Sequence, residues 1–230
     1  MAPAPRHAVM SFFSGNFSAR TFRSYLLAIA AIFGGLVFTS YLLYPGYTFF
    51  DYSVSSLGAW HKNPSGWWVF SIAMWAMGIM IVPFFMHVKR VFSRYTPRFA
   101  RLFEACVLVT AGGMVALGFF PESPGTAPVH YVAAAFIFGG FFVDACISWL
   151  SLARMAIVAP TRRKKLFVIA CLSSMIAAFW VVLAGMAIMH AISRPAFLAS
   201  IYFWEWAYLL VSVGLYLLLL EVVVSREPEA

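Results

Sequence analysis

Charge is what this chain has least of. Only 10% of its 230 residues are Asp, Glu, Lys or Arg, where soluble domains carry about a quarter. Acid is scarcer still, with eight Asp and Glu in all and none before Asp51. No polar stretch exceeds about twenty residues, so no separate aqueous domain is left over. Cysteine is rare too. Cys106, Cys146 and Cys171 all lie in apolar segments with no CxxC spacing, which argues against a disulfide framework or a zinc knuckle. They read as small buried hydrophobes. The chain has no HExxH, no HxxxH pair and no GxSxG, so neither zinc hydrolysis nor a serine nucleophile has a local signature. No apolar segment has a lysine at its centre, which disfavours a retinal pump. The two halves are not alike, and only Pro83 interrupts a span interior, unlike inverted-repeat transporters.

What is present is apolar mass. Hydrophobic residues make up 63%, mean hydropathy is +0.87, and the apolar residues fall in blocks of about twenty, the length that crosses a bilayer core. Six spans are predicted: 22–44, 66–88, 101–120, 128–152, 166–190 and 198–222. The fold expected is all-α, one polytopic membrane domain of six transmembrane helices in a single bundle over 22–222. A tail of residues 1–21 precedes it and a tail of 223–230 follows. Gly34-Gly35, Gly112-Gly113, Gly139-Gly140, Ser173-Ser174, Ala177 and Gly185 read as packing surfaces, since lipid supplies no hydrophobic drive for helix association.

Sidedness follows from the cations. Arg6, Arg20 and Arg23 lie in the first tail. Lys89, Arg90, Arg94, Arg98 and Arg101 lie in the second connection, and Arg154, Arg162, Arg163, Lys164 and Lys165 in the fourth. The odd-numbered loops hold only Lys62 and Arg194. Both termini are therefore expected in the cytoplasm of a multi-pass cell-membrane protein. The net charge of +8 is explained by this sidedness and not by nucleic acid. The acid-free tail MSFFSGNFSARTFRSY reads as a retained cytoplasmic segment, with an interfacial amphipathic helix or a transit peptide as alternatives.

With that orientation the polar residues gather at the outer face. The first outer loop supplies Asp51, Ser53, Ser55, Ser56, His61 and Asn63, walled in by Phe49, Phe50, Trp60, Trp67 and Trp68. The third loop supplies Glu122, with His130 at the outer start of span four. His190 and Arg194 close span five, and Glu205 opens span six among aromatics. Singly, each has an ordinary explanation. Glu205 can snorkel, His61 can be a solvated loop residue, and Arg194 can cap a helix end. Jointly they form a candidate pocket, because the inner loops hold no such mix of histidines and acids. His130 sits at a helix N-terminus, which suits a neutral ring, and His190 at a C-terminus, which suits a cation. The first loop is expected to fold back as a partly re-entrant segment, because irregular backbone at membrane depth needs protein or a watery cavity beside it. Inside, Glu104 is expected to pair with Arg101 three residues before it. Asp144 lies about 21 Å along the helix from His130 and needs a partner, Ser148 being one candidate.

VSSLG at Val54–Gly58, GFFP at Gly118–Pro121, and His130 with Ala134 and Phe138 in HYVAAAFIF resemble DRAM/Frag/Sfk-type six-span membrane proteins, nearest their prokaryotic branch of unknown function. In that group the first loop reads Ser-Asp-Leu-Gly or Ser-Glu-Leu-Gly. Here Ser56 stands where the acid would be, with Asp51 five residues earlier, so the acid's role does not carry over. The resemblance implies six spans and outer-face motifs across roughly residues 25–220, while roles in lipid-anchor remodelling and membrane regulation diverge among eukaryotic members. Three functions remain open. The favoured one is non-catalytic binding of a lipid headgroup or amphiphile by an accessory membrane component, partnered by lipids and by another membrane protein or a second copy. The alternative is a metal-dependent lipid hydrolase with zinc on Asp51, His61, His130 and His190. The third is a proton-coupled transporter using Asp144.

Overall fold

Apolar helices with no polar face have only one solvent that suits them. The structure, a computed structural model, describes residues 10, 12–158 and 201–224, together with scattered positions from 169 to 188. Within these it is all helical. The long helices are α1 (Ala19–Leu42), α2 (Trp67–Ser93), α3 (Pro97–Phe119), α4 (Ala127–Val158) and α5 (Ile201–Val224), with a short 3-10 helix at Val54–Gly58. Stretches of α1 to α4 (Arg20–Leu42, Trp67–Ser93, Pro97–Phe119 and Ala127–Arg154) are long and apolar enough to cross a membrane. Their outward faces carry Leu27, Ile32, Phe38, Leu108, Val109 and Phe136, all exposed. Such side chains would be a liability in water and are ordinary in lipid. This is a membrane protein.

The first four helices run up and down, each packed on its predecessor, and α5 touches α1, α2 and α4. Two ends result. One, here the loop end, holds the first loop, the 120–126 turn and the start of α5. The other, the basic end, holds Arg20, Arg23, Lys89, Arg90, Arg94, Arg98, Arg101 and Arg154, whereas Lys62 is the only Lys or Arg at the loop end among the described residues. The core at the basic end is aromatic, with Phe22, Phe84, Phe85, Phe92 and Phe103 fully buried. Phe22 stacks on Phe84 with centroids 5.2 Å apart. Local chemistry sets the ends. Ser18 caps α1 by accepting from the Thr21 N–H at 3.2 Å, and Pro97 opens α3, where its missing N–H costs nothing.

Small residues act where helices nearly touch. A Cβ on Gly140 would lie 1.9 Å from Thr110 Oγ1, and one on Gly113 would lie 3.0 Å from the Ala133 carbonyl. These two glycines seat α3 against α4. Gly34, Gly35, Gly112 and Gly139 have no described residue within 4 Å of an added Cβ, so among the described residues at most one glycine of each expected pair serves packing, and in the first pair neither does.

Several sequence expectations change. The described positions of the predicted fifth span are helical and lie against α4, with Trp149 Nε1 donating to Ser173 Oγ at 3.1 Å and Phe142 edge-on to Trp180. The rest of that span, His190, Arg194, Cys171 and the Arg162–Lys165 cluster lie outside the described residues. Glu104 pairs with Lys89 on α2 at 2.5 Å and not with Arg101, because the tight turn between α2 and α3 sets the two side chains face to face. Asp144 is 1% exposed, yet neither its carboxylate oxygens nor Ser148 Oγ has a hydrogen-bond partner among the described residues. The tail before α1 is a hook on the bundle. Gly15, at φ +70°, lies so close to α2 that a Cβ would fall 2.2 Å from the His87 nitrogen. Its carbonyl accepts from His87 Nδ1 at 2.9 Å, and Arg90 donates to Asn16 Oδ1 at 2.7 Å.

Candidate functional site

The first loop is held down by one buried asparagine. Asn63 is fully buried. Its Nδ2 donates to the Leu57 carbonyl at 2.8 Å and lies 3.2 Å and 3.1 Å from the Ser40 carbonyl and Oγ, while its Oδ1 accepts from the Gly66 N–H at 3.0 Å. Ser40 Oγ in turn donates toward the Gly66 and Leu57 carbonyls. Backbone that has left helical geometry is thus satisfied by two side chains. The consequence is a 3-10 helix folded onto the bundle, with Ser56, Leu57 and Ala59 buried. A second brace is aromatic. Tyr47 Oη donates to the Ser53 carbonyl at 2.9 Å and accepts from Trp206 Nε1 at 3.1 Å, which ties the loop to α5. Burial pushes the Tyr47 hydroxyl pKa up, so it stays protonated and able to donate.

Two carboxylates meet this loop from distant parts of the chain. Ser53 Oγ caps the 3-10 helix, accepting from the Ser56 N–H at 3.0 Å. Ser53 and Ser56 hydroxyls lie 3.2 Å and 3.3 Å from Glu122 Oε2, and Lys62 Nζ is 3.4 Å from Glu122 Oε1. Ser55 donates to Glu205 Oε1 twice, from its hydroxyl at 3.0 Å and from its N–H at 3.3 Å. His130, 2% exposed, places Nδ1 3.0 Å from the Phe120 carbonyl. A carbonyl can only accept, so Nδ1 carries a proton; in the neutral ring Nε2 is then the acceptor, and it has no partner among the described residues.

These groups line one cavity of about 290 Å³, walled by Ser53, Ser55, Glu122, His130, Tyr131 and Glu205, with Tyr202 and Phe138 completing it. Beneath it lies an apolar cavity of about 70 Å³ that shares Ser55, Ala134, Phe138 and Glu205 and continues to Met114, Tyr208 and Ser212. The site is therefore polar at the loop end and apolar toward the bundle interior.

Of the sequence candidates, Ser53, Glu122, His130 and Glu205 line the cavity, and Ser56 supports it through Glu122. Asp51 does not line it. It is exposed and bonded to Thr48 within its own turn. His61 is also exposed, with Nδ1 3.4 Å from Ser123 Oγ. Among the described residues no three His, Cys, Asp or Glu side chains come together to hold a metal ion, so Asp51, His61 and His130 are not a shared ligand set. Tyr131, Tyr202 and the Ser40–Asn63 brace went unread, because no local spacing marks residues that meet only across helices.

Residues 26–223 match the DUF998 family, described as a protein family of unknown function. The chain belongs to that family. The DUF998 match covers α2, α3 and α4 whole, α5 but for its last residue, most of α1, and the entire cavity. No curated protein and no solved structure matches the chain.

Proposed function

We propose that this DUF998 protein binds the headgroup of a lipid or similar amphiphile at the outer face of the cell membrane, as a non-catalytic component of a membrane assembly. The observation that carries the reading is the polar cavity of about 290 Å³ at the loop end, set directly above apolar lining. A soluble ligand needs no apolar continuation, whereas an amphiphile does. The small apolar cavity has space for about two waters, too little for an acyl chain. The chain would leave sideways past Tyr131, which lines the cavity and is itself exposed. The topology that goes with this reading has six spans, both termini in the cytoplasm and the first loop re-entrant, as in the DRAM/Frag/Sfk group. It is supported by the gathering of cations at the opposite end.

The test is lipid retention. Purified protein should carry a near-stoichiometric lipid detectable by native mass spectrometry, and the Glu122→Ala variant should lose it while staying folded. Protein that is lipid-free after mild extraction, and is not stabilised by added lipid, would overturn the reading. A second reading is movement of a proton or cation past Asp144, favoured by that buried carboxylate and by Ser148 one turn away, neither of which has a hydrogen-bond partner among the described residues. Proteoliposomes in which Asp144→Asn leaves every measured ion flux unchanged would exclude it.

A further inference from the structure

We propose that the occupant of the cavity presents a primary ammonium group, seated between Glu205 Oε2 and His130 Nε2. This inference rests on the headgroup reading and narrows it. Glu122 is engaged on both oxygens, by Ser53 and Ser56 on one and by Lys62 on the other. Lys62, the cation of the group, is thereby committed. Glu205 spends Oε1 on Ser55, and its Oε2 has no partner among the described residues. His130 is buried in the cavity wall, its Nδ1 turned to the Phe120 carbonyl and its Nε2 left as an acceptor. These two positions both accept, and Lys62 already bonds Glu122 and Ser56.

Charge points the same way. Two carboxylates face one lysine, so the cavity carries an excess of one negative charge when both are ionised. A bare phosphate would meet repulsion from that excess. A choline group has the right charge and no N–H, so it would leave both acceptors without a hydrogen bond from the ligand. A divalent metal needs more ligands than the described residues bring together. A primary ammonium has three N–H groups, enough for Glu205, His130 and one further acceptor. Tyr131 and Tyr202 stand in the same wall, and aromatic rings attract cations. The volume, about ten waters' worth, takes an ethanolamine-type headgroup whose phosphate stays at the mouth.

Full-length protein in detergent is titrated with phosphatidylethanolamine and phosphatidylcholine of identical acyl chains, with phosphatidylglycerol, and with free ethanolamine, reading thermal stabilisation and native mass spectra. The expected result is binding of phosphatidylethanolamine about tenfold tighter than phosphatidylcholine, with little effect of free ethanolamine. Glu205→Gln and His130→Phe should each weaken phosphatidylethanolamine the more and bring the two lipids to within about threefold. Glu205→Gln is nearly isosteric, so it keeps the test valid if His130→Phe misfolds. Equal affinity for the two lipids, or preference for phosphatidylglycerol, overturns the ammonium inference and leaves the headgroup reading standing. Stabilisation by free ethanolamine matching that of the lipid keeps the ammonium and overturns the lipid. Binding of none of the four overturns both.

Discussion

Replacing Asn63 by Ala should unhinge the first loop, and the cost follows from its bonds. The side chain is fully buried and serves the Gly66 N–H at 3.0 Å and the Leu57 carbonyl at 2.8 Å, with Ser40 beside them. In Asn63→Ala the Gly66 N–H loses its side-chain acceptor and keeps only the residue 63 backbone carbonyl at 3.3 Å, and the Leu57 carbonyl keeps only the long contact from Ser40 Oγ at 3.3 Å. A buried polar group left without its partner costs about 1–3 kcal/mol. Each group keeps one long bond, so the low end of that range applies to each, and with the small void the loss is about 2–3 kcal/mol, a large share of the ~5–15 kcal/mol that separates folded from unfolded in typical domains. Unfolding in mixed micelles, followed by tryptophan fluorescence, measures the loss. Hydrogen exchange over Val54–Gly66 should accelerate in the same variant, and lipid retention should fall with it, because the serines that meet Glu122 and Glu205 are carried by this loop. Asn63→Asp keeps the acceptor for Gly66 and removes the donors, so it should fall between wild type and Ala unless its charge adds a burial cost. A destabilisation below about 1 kcal/mol for Asn63→Ala, with loop exchange unchanged, would refute the claim that this side chain substitutes for missing backbone partners.

Four further outcomes are expected. Gly140→Ala should destabilise by about 1–3 kcal/mol because its Cβ meets Thr110 Oγ1, whereas Gly139→Ala, facing open space, should stay within about 0.5 kcal/mol; equal melting temperatures for the two would remove the packing argument. Gly15→Ala should release the hook from His87, seen as faster proteolysis before residue 18, while Gly46→Ala, with a comparable φ of +68° but no neighbour within reach, should leave the hook protected. Glu104→Gln should cost under about 1 kcal/mol, since the Lys89–Glu104 pair is partly exposed; a double-mutant cycle with Lys89→Met gives the coupling directly. Cysteines placed at the exposed positions Pro124 and Arg154 should label from opposite sides of intact cells, with Pro124 reached from outside, and the reverse pattern would invert the proposed topology.

What was legible in the sequence is what one segment decides alone. A block of about twenty apolar residues makes a helix in lipid whatever its neighbours do, because no other structure satisfies its backbone there. The helices α1 to α4 are found where that rule puts them, with ends shifted by a few residues. The clustering of arginines and lysines between alternate blocks is equally local. The gathering of polar residues near the first loop could also be read, which is why Ser53, Glu122, His130 and Glu205 were candidates before any geometry. Asp51 and His61 were grouped with them by proximity in sequence, and the structure turns both outward.

Tertiary structure decided the pairings. Ser53 meets Glu122 across 69 residues, and Ser55 meets Glu205 across 150. Glu104 takes Lys89 rather than the arginine on its own helix. Lipid does not dictate which helix faces which, because the outward surfaces are equally apolar in every rotation. Close approach at Gly113 and Gly140 and the bonds of Asn63, Tyr47 and Ser55 make that choice. Composition by itself settled that the chain lives in a membrane, and only the packing settled which carboxylates and which histidine share a cavity, because that depends on the few contacts that lipid cannot replace.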